Sequence, residues 1–173
     1  MQNEEVQTQK ICLWNGIFCT ELPIEFQVAD EKLIKKKFPY IAKPEYIWVN
    51  EQEMQIINFH LLHKELKNEQ IKLAIKEIQR MIVHRYPESI GDYACHLDNI
   101  AVDTGYFSFW TGGIPNGEYH VLFIMAVHER MMLGTYHCNA DYEEQANNMV
   151  FQMLKKARVN KAIRKEMIIN KLL

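Results

Sequence analysis

Serine is almost absent from this chain of 173 residues: Ser89 and Ser108 are the only two. Neither sits in a Gly-x-Ser-x-Gly elbow, so the strained turn that presents a nucleophilic hydroxyl is missing. Glycine is sparse, and Gly112-Gly113 lacks the remainder of a phosphate-cradling loop. The cysteines, Cys12, Cys19, Cys95 and Cys138, form no Cys-x-x-Cys pair. They read as reduced, mostly buried thiols, with a Cys12–Cys19 bridge across a hairpin as the alternative. A strong excess of either charge is lacking too. The net charge of −2 gives no cationic footprint, and no nucleic-acid partner is expected. No apolar run is long enough to span a bilayer. The polar start, Met1 to Lys10, has neither the cationic end nor the apolar core of a signal peptide. A cytoplasmic location without an integral membrane segment is the expectation.

What is present is pattern. Hydrophobic residues at 48% and charged residues at 24% suit one globular core at this length. Lys10–Trp14 and Ile17–Glu21 flank Asn15-Gly16, a dipeptide suited to two positive φ angles, and predict a hairpin. Asp30 is placed to cap a short helix, Glu31–Lys37, which Phe38-Pro39 stops. A second hairpin is expected from Tyr46–Val49 and Met54–Leu61. Asn68 is placed to cap a long helix from Glu69 to about Tyr86, with Ile71, Ala74, Ile75, Ile78, Met81 and Ile82 at helical spacing. Three strands follow: Gly105–Trp110, Tyr119–Val127 and Met131–Cys138. Both alternating sets of Tyr119–Val127 are apolar, which predicts a central strand covered on both faces. Asp141 would then cap a helix from Tyr142 to about Ala157. From Val159 to Leu173 the pattern is that of a basic amphipathic helix. The expected fold class is α+β: a three-layer α/β/α sandwich with a central, mainly antiparallel sheet and an extra C-terminal helix. The expected division is a single domain over residues 1–157 and the basic helix over 158–173.

Chemistry is harder to find. His60-x-x-His63 has odd spacing on a strand, which sends the two rings to opposite faces. The adjacent pairs Cys95-His96 and His137-Cys138 diverge for the same reason. Asp92, Asp98 and Asp103 do not have the intervals of a calcium loop. No catalytic residue, metal site or cofactor is expected. The competing reading is a small metal-dependent or cysteine/histidine enzyme, drawing His60, His96, His120 or His137 together from different strands. Aromatic residues suggest another kind of site. Tyr106, Ser108 and Trp110 share one strand face, and Tyr106, Trp110, His120 and Tyr136 would line a groove for an apolar ligand or a protein segment. Packing within the core is the plain alternative for these rings.

Taken in order, Glu31-Lys-Leu-Ile-Lys-Lys-Lys-Phe-Pro39, Gly105-Tyr-Phe-Ser-Phe109, Glu118-Tyr-His-Val-Leu-Phe123 and Met132-Leu-Gly-Thr-Tyr-His-Cys138 carry a resemblance. Over about Leu22 to Ala157 the chain resembles the PsbP/Mog-type fold superfamily, in particular its DcrB-like branch and bacterial cytoplasmic members. The resemblance implies an antiparallel sheet between helices and no shared catalytic residues. It further implies a binding role, since the superfamily includes photosystem accessory subunits, a Ran-binding regulator and Eag chaperones of secretion effectors. A non-catalytic binding or adaptor protein, with an unidentified protein or apolar ligand as partner and homodimerisation open to it, is the expectation. A chaperone or immunity protein for a secreted effector is a variant of the same reading.

Overall fold

The computed structural model describes residues 6–39, 43–52, 54–98, 100–112 and 117–162. The first hairpin pairs β1 (Thr8–Leu13) with β2 (Phe18–Pro23), Leu13 opposite Phe18. Its turn begins earlier than Asn15-Gly16 suggests, because Trp14 already has positive φ (48°) ahead of Asn15 (56°) and Gly16 (84°). Register places Cys12 against Cys19, and the two are joined by a disulfide with Cα atoms 4.2 Å apart. This corrects the expectation of four reduced thiols. The physical reason is the hairpin itself, whose non-hydrogen-bonded cross-strand pairs bring Cα atoms this close.

Helix α1 (Glu31–Lys37) is capped by Asp30, whose carboxylate accepts the Leu33 N–H at 2.7 Å. Strands β4 (Tyr46–Asn50) and β5 (Gln55–Glu65) form the second hairpin, and β3 (Gln27–Val28) adds to the edge of β4. The long helix α2 (Ile71–Arg85) is entered through a 3₁₀ turn at Asn68–Gln70. There Gln70 Oε1 accepts the Lys67 N–H at 2.9 Å, so Asn68 is not the cap. Short strands β6 (Ile90–Gly91) and β7 (Cys95–Leu97) precede β8 (Thr104–Thr111), β9 (Glu118–Val127) and β10 (Arg130–Asn139). A second 3₁₀ turn, Ala140–Tyr142, leads into α3 (Glu143–Lys156). It is Asn139, rather than Asp141, whose side chain serves that entry.

The main sheet runs β3-β4-β5-β10-β9-β8-β6, with β7 also beside β8, and every pairing is antiparallel. The architecture is α+β, with helices on both faces of the sheet. On one face α2 buries Ile71 and Ile75 against Phe107, Phe109, Leu122 and Ile124. Helix α1 covers Ile47, Val49 and Ile56 further along the same face. On the other face lie α3 and the β1–β2 hairpin, over a core that includes Ile57, Phe59, Tyr119, Val121, Phe123 and Tyr136. Strand β9 is central: Tyr119, Val121, Phe123, Met125 and Val127 serve one core, while Leu122 and Ile124 serve the other. That double burial is the covered strand its composition predicts.

After α3 the chain extends rather than continuing as helix. Strand β11 (Arg158–Val159) completes a small sheet, β1-β2-β11, and Asn160 N–H bonds Ile17 C=O at 2.8 Å. The free edge of β2 supplies the hydrogen bonds that a helical turn would otherwise make. Residues 163–173 of the expected basic helix, and Gly113, lie outside the described residues.

Candidate binding clefts flanking helix α3

Ala146, Val150, Met153 and Leu154 pin α3 to the sheet. The opposite side of the helix is polar, and a cleft opens along each flank. The first, of 590 Å³, lies between α3 and strands β7–β8. The second, of 570 Å³, lies between α3 and the β1–β2 hairpin. Asn148 lines both, so the helix forms a narrow ridge between them.

Cross-strand rows explain what each cleft contains. Tyr106, Phe123, Gly134, Phe59 and Tyr46 are successive partners across the sheet, and so are Ser108, Val121, Tyr136, Ile57 and Trp48. Both rows face α3. Tyr106 is half-buried in the first cleft, while buried Tyr136 forms part of the floor of the second. One strand, β9, separates their strands, which sets them about 10 Å apart across the sheet. Trp110 pairs with Tyr119 and packs on its ring, centroids 5.1 Å apart, lining neither cleft. His120 is on the other face altogether. Its cross-strand partner is Phe109, on which it stacks at 4.8 Å, and its Nε2 lies 2.8 Å from Thr111 Oγ1. The four rings picked out in the sequence therefore do not share a groove: Tyr106 and Tyr136 flank α3, Trp110 packs between strands, and His120 faces away.

Polar groups in the first cleft are linked. Ser108 Oγ donates to Asp92 Oδ2 at 2.5 Å, and Asp92 N–H donates to Ser108 C=O at 2.9 Å. The buried Tyr119 hydroxyl donates to Asn147 Oδ1 at 2.7 Å. Burial first, then the neighbouring Cys95, pushes the Tyr106 phenol above its ordinary range. Burial raises Tyr119 as well, against the opposing influence of its polar neighbours Ser108 and Asn147. Both phenols are thus held neutral, able to donate hydrogen bonds. Tyr93, Asn147 and Phe151 are lining residues that sequence reasoning passes over, and Asp92 is weighed there only as part of a calcium loop. One signal was available: Asn147-Asn148 puts two weak helix formers side by side within a helical pattern.

Of the histidines of the enzymatic alternative, His120 and His137 are brought together, while His60 and His96 have other surroundings. His60 sits 3.8 Å from Glu45, and the buried Nε2 of His96 has no hydrogen-bond partner among the described residues. His120 and His137 are cross-strand neighbours with ring centroids 5.9 Å apart. Burial, and secondarily His120, pulls His137 down to about 4. Among the described residues no three His, Cys, Asp or Glu side chains are grouped to hold a metal ion. No described helix is long and apolar enough to cross a membrane.

The arrangement of helices on both sides of a broad antiparallel sheet is similar to that of a solved PsbP structure. Cyanobacterial PsbP (CyanoP) from Synechocystis sp. PCC 6803 superimposes with a TM-score of 0.60 at 8% identity, over 92% of this chain and 96% of that one. A Bacteroides thetaiotaomicron VPI-5482 protein matches with a TM-score of 0.55 at 8% identity, over 90% of this chain but 49% of its own. A Mog1 mutant aligns more loosely, with a TM-score of 0.49 at 11% identity, over 88% of this chain and 96% of that one. These likenesses concern the fold and do not reach the DcrB-like branch. No family model matches the chain, and no curated protein does.

Proposed function

We propose that this is a non-catalytic binding or adaptor protein whose clefts beside α3 receive a segment of another protein. The observation that carries the reading is the pair of open clefts meeting at Asn148. Their sheet-side walls include Val121 and Tyr136, and their rims are polar. An extended segment fits this lining better than a purely apolar ligand. Covering the exposed amides of Gln145, Asn148 and Gln152 without hydrogen-bond partners would cost about 1–3 kcal/mol each, and a polypeptide backbone provides such partners. The reading includes membership of the DcrB-like branch and a cytoplasmic location, the latter requiring that the Cys12–Cys19 bond resist or lose to a reducing environment.

The test is recovery of partners by tagged full-length protein, comparing wild type with Asn148→Trp and Lys72→Trp. Asn148 and Lys72 are both exposed, so neither change disturbs the core. A stoichiometric protein retained by wild type and Lys72→Trp but lost with Asn148→Trp is the expected result. Retention of the same protein by Asn148→Trp overturns the proposal.

A further inference from the structure

The first cleft combines one fixed carboxylate with aromatic rings. Asp92 is the only charged residue in its lining, and among the described residues no lysine or arginine pairs with it. Its position is fixed twice by Ser108, through the hydroxyl at 2.5 Å and the backbone carbonyl at 2.9 Å. Gln79 of α2 braces the next stretch: its side-chain amide donates to Asp92 C=O and accepts the Ala94 N–H at 3.4 Å. Tyr93 is caught between these contacts, yet its side chain stands in water, 92% exposed. Bracing of the backbone on both sides of Tyr93 lowers the cost of ordering the loop that presents this ring.

Tyr106 and Phe151 bring two more rings to the same cleft, with Val121 and Leu154 deeper in the lining. Phe151 already receives one cation: the ammonium of Lys155 lies 4.4 Å from its ring centroid. Carboxylates and ring faces share one preference, for a cation carried on an apolar stem. Resting on the binding reading above, we infer that this cleft takes a lysine side chain of the partner segment, its methylenes lying along the rings of Tyr106 and Phe151 and its ammonium at Asp92.

The experiment is a titration of the full chain followed by backbone amide NMR. Its probes are acetyl-Leu-Lys-Leu-amide, the same peptide with norleucine in place of lysine, and n-butylammonium. Saturable shifts are expected at residues 92–95, 108 and 147–151, with the lysine peptide bound about tenfold more tightly than the norleucine peptide. Asp92→Asn should reduce that preference to within about twofold. This variant keeps the shape of the side chain and an acceptor for Ser108, and an unchanged spectrum elsewhere confirms its fold. Equal binding of the two peptides at the cleft overturns the lysine assignment while leaving the binding reading intact. An unchanged preference in Asp92→Asn overturns it as well. Butylammonium binding as tightly as the lysine peptide overturns a polypeptide source. Absence of saturable shifts with all three probes overturns the lysine assignment, whereas the binding reading fails only on the Asn148→Trp recovery result.

Discussion

The ring of Phe123 lies across Gly134, its direct partner on the neighbouring strand, so closely that a Cβ at residue 134 would stand 2.1 Å from it. The missing side chain is therefore the space the ring occupies. Phe123 is fully buried and in turn meets Phe59, with centroids 5.9 Å apart. Gly134→Ala should destabilise the fold by about 3 kcal/mol, the upper part of the range for overpacking. Urea unfolding would measure it, and Phe123→Leu in the same chain should recover part of the loss. Equal stability of Gly134→Ala and wild type would show that the ring moves aside freely.

The Cys12–Cys19 bond makes a second prediction. Linking residues seven apart in sequence removes loop entropy from the unfolded chain, worth about 2 kcal/mol. Reductant should lower the melting temperature of wild type and leave a Cys12→Ser/Cys19→Ser double variant unmoved. The loss should be felt at α3, because Thr20 of β2 donates to Met153 C=O at 2.6 Å. Isolation of the native protein with both thiols free would fit a reducing compartment, and with the bond intact an oxidising one.

Thiol chemistry separates the remaining cysteines. Cys95 is exposed, whereas Cys138 is buried and its thiol is pushed up to about 11, chiefly by burial. At pH 8 only about one Cys138 in a thousand is a thiolate. A thiol reagent should titrate one group in the native protein, two after denaturation and four after denaturation with prior reduction. Two fast groups in the native state would contradict the burial of Cys138.

Acid should weaken the fold through His137. Its pKa falls from 6.5 to about 4 because burial disfavours the charged ring, with His120 and Lys37 acting in the same sense and Glu118 opposing. Between these values the unfolded chain binds the proton and the folded one does not, so stability is fully present above 6.5 and declines as the pH drops toward 4. The loss is on the order of 2–3 kcal/mol. His120, also lowered by burial, adds to it in the same direction. Replacing His137 with Gln should flatten the pH dependence of urea midpoints between 4 and 6.5, and an unaltered slope would remove His137 as its source.

Much of the fold was legible because it is written in local chemistry. Asp30 and Phe38-Pro39 bound α1 through a side-chain cap and a backbone restriction, both properties of near neighbours. The double apolar alternation of β9 announced a strand with cores on both sides. Register was not legible. Whether His120 stands beside Trp110 or Phe109 depends on a pairing between strands, and a one-residue slip exchanges every side chain between faces. The Cys12–Cys19 bond could be named only as an alternative for the same reason, since seven residues of separation become a direct contact only through the turn that aligns them. The clefts depend on where α3 settles over the sheet, so Asp92 and Asn147, far apart in the chain, had no shared local signal.

The layer that covers one face of the sheet is assembled from the first and last described elements. Lys156 is hydrogen-bonded to Glu21 at 2.5 Å across 135 residues of chain. During synthesis the β1–β2 hairpin leaves the ribosome early and must wait for α3, roughly 7–30 s at ordinary elongation rates. Phe59, Phe123 and Tyr136 can meet sheet partners in that interval, but their outer faces stay wet until Val150 and Leu154 arrive. Closure of this face thus waits for α3, and a nascent chain halted before α3 would display to chaperones the surface that the folded molecule hides.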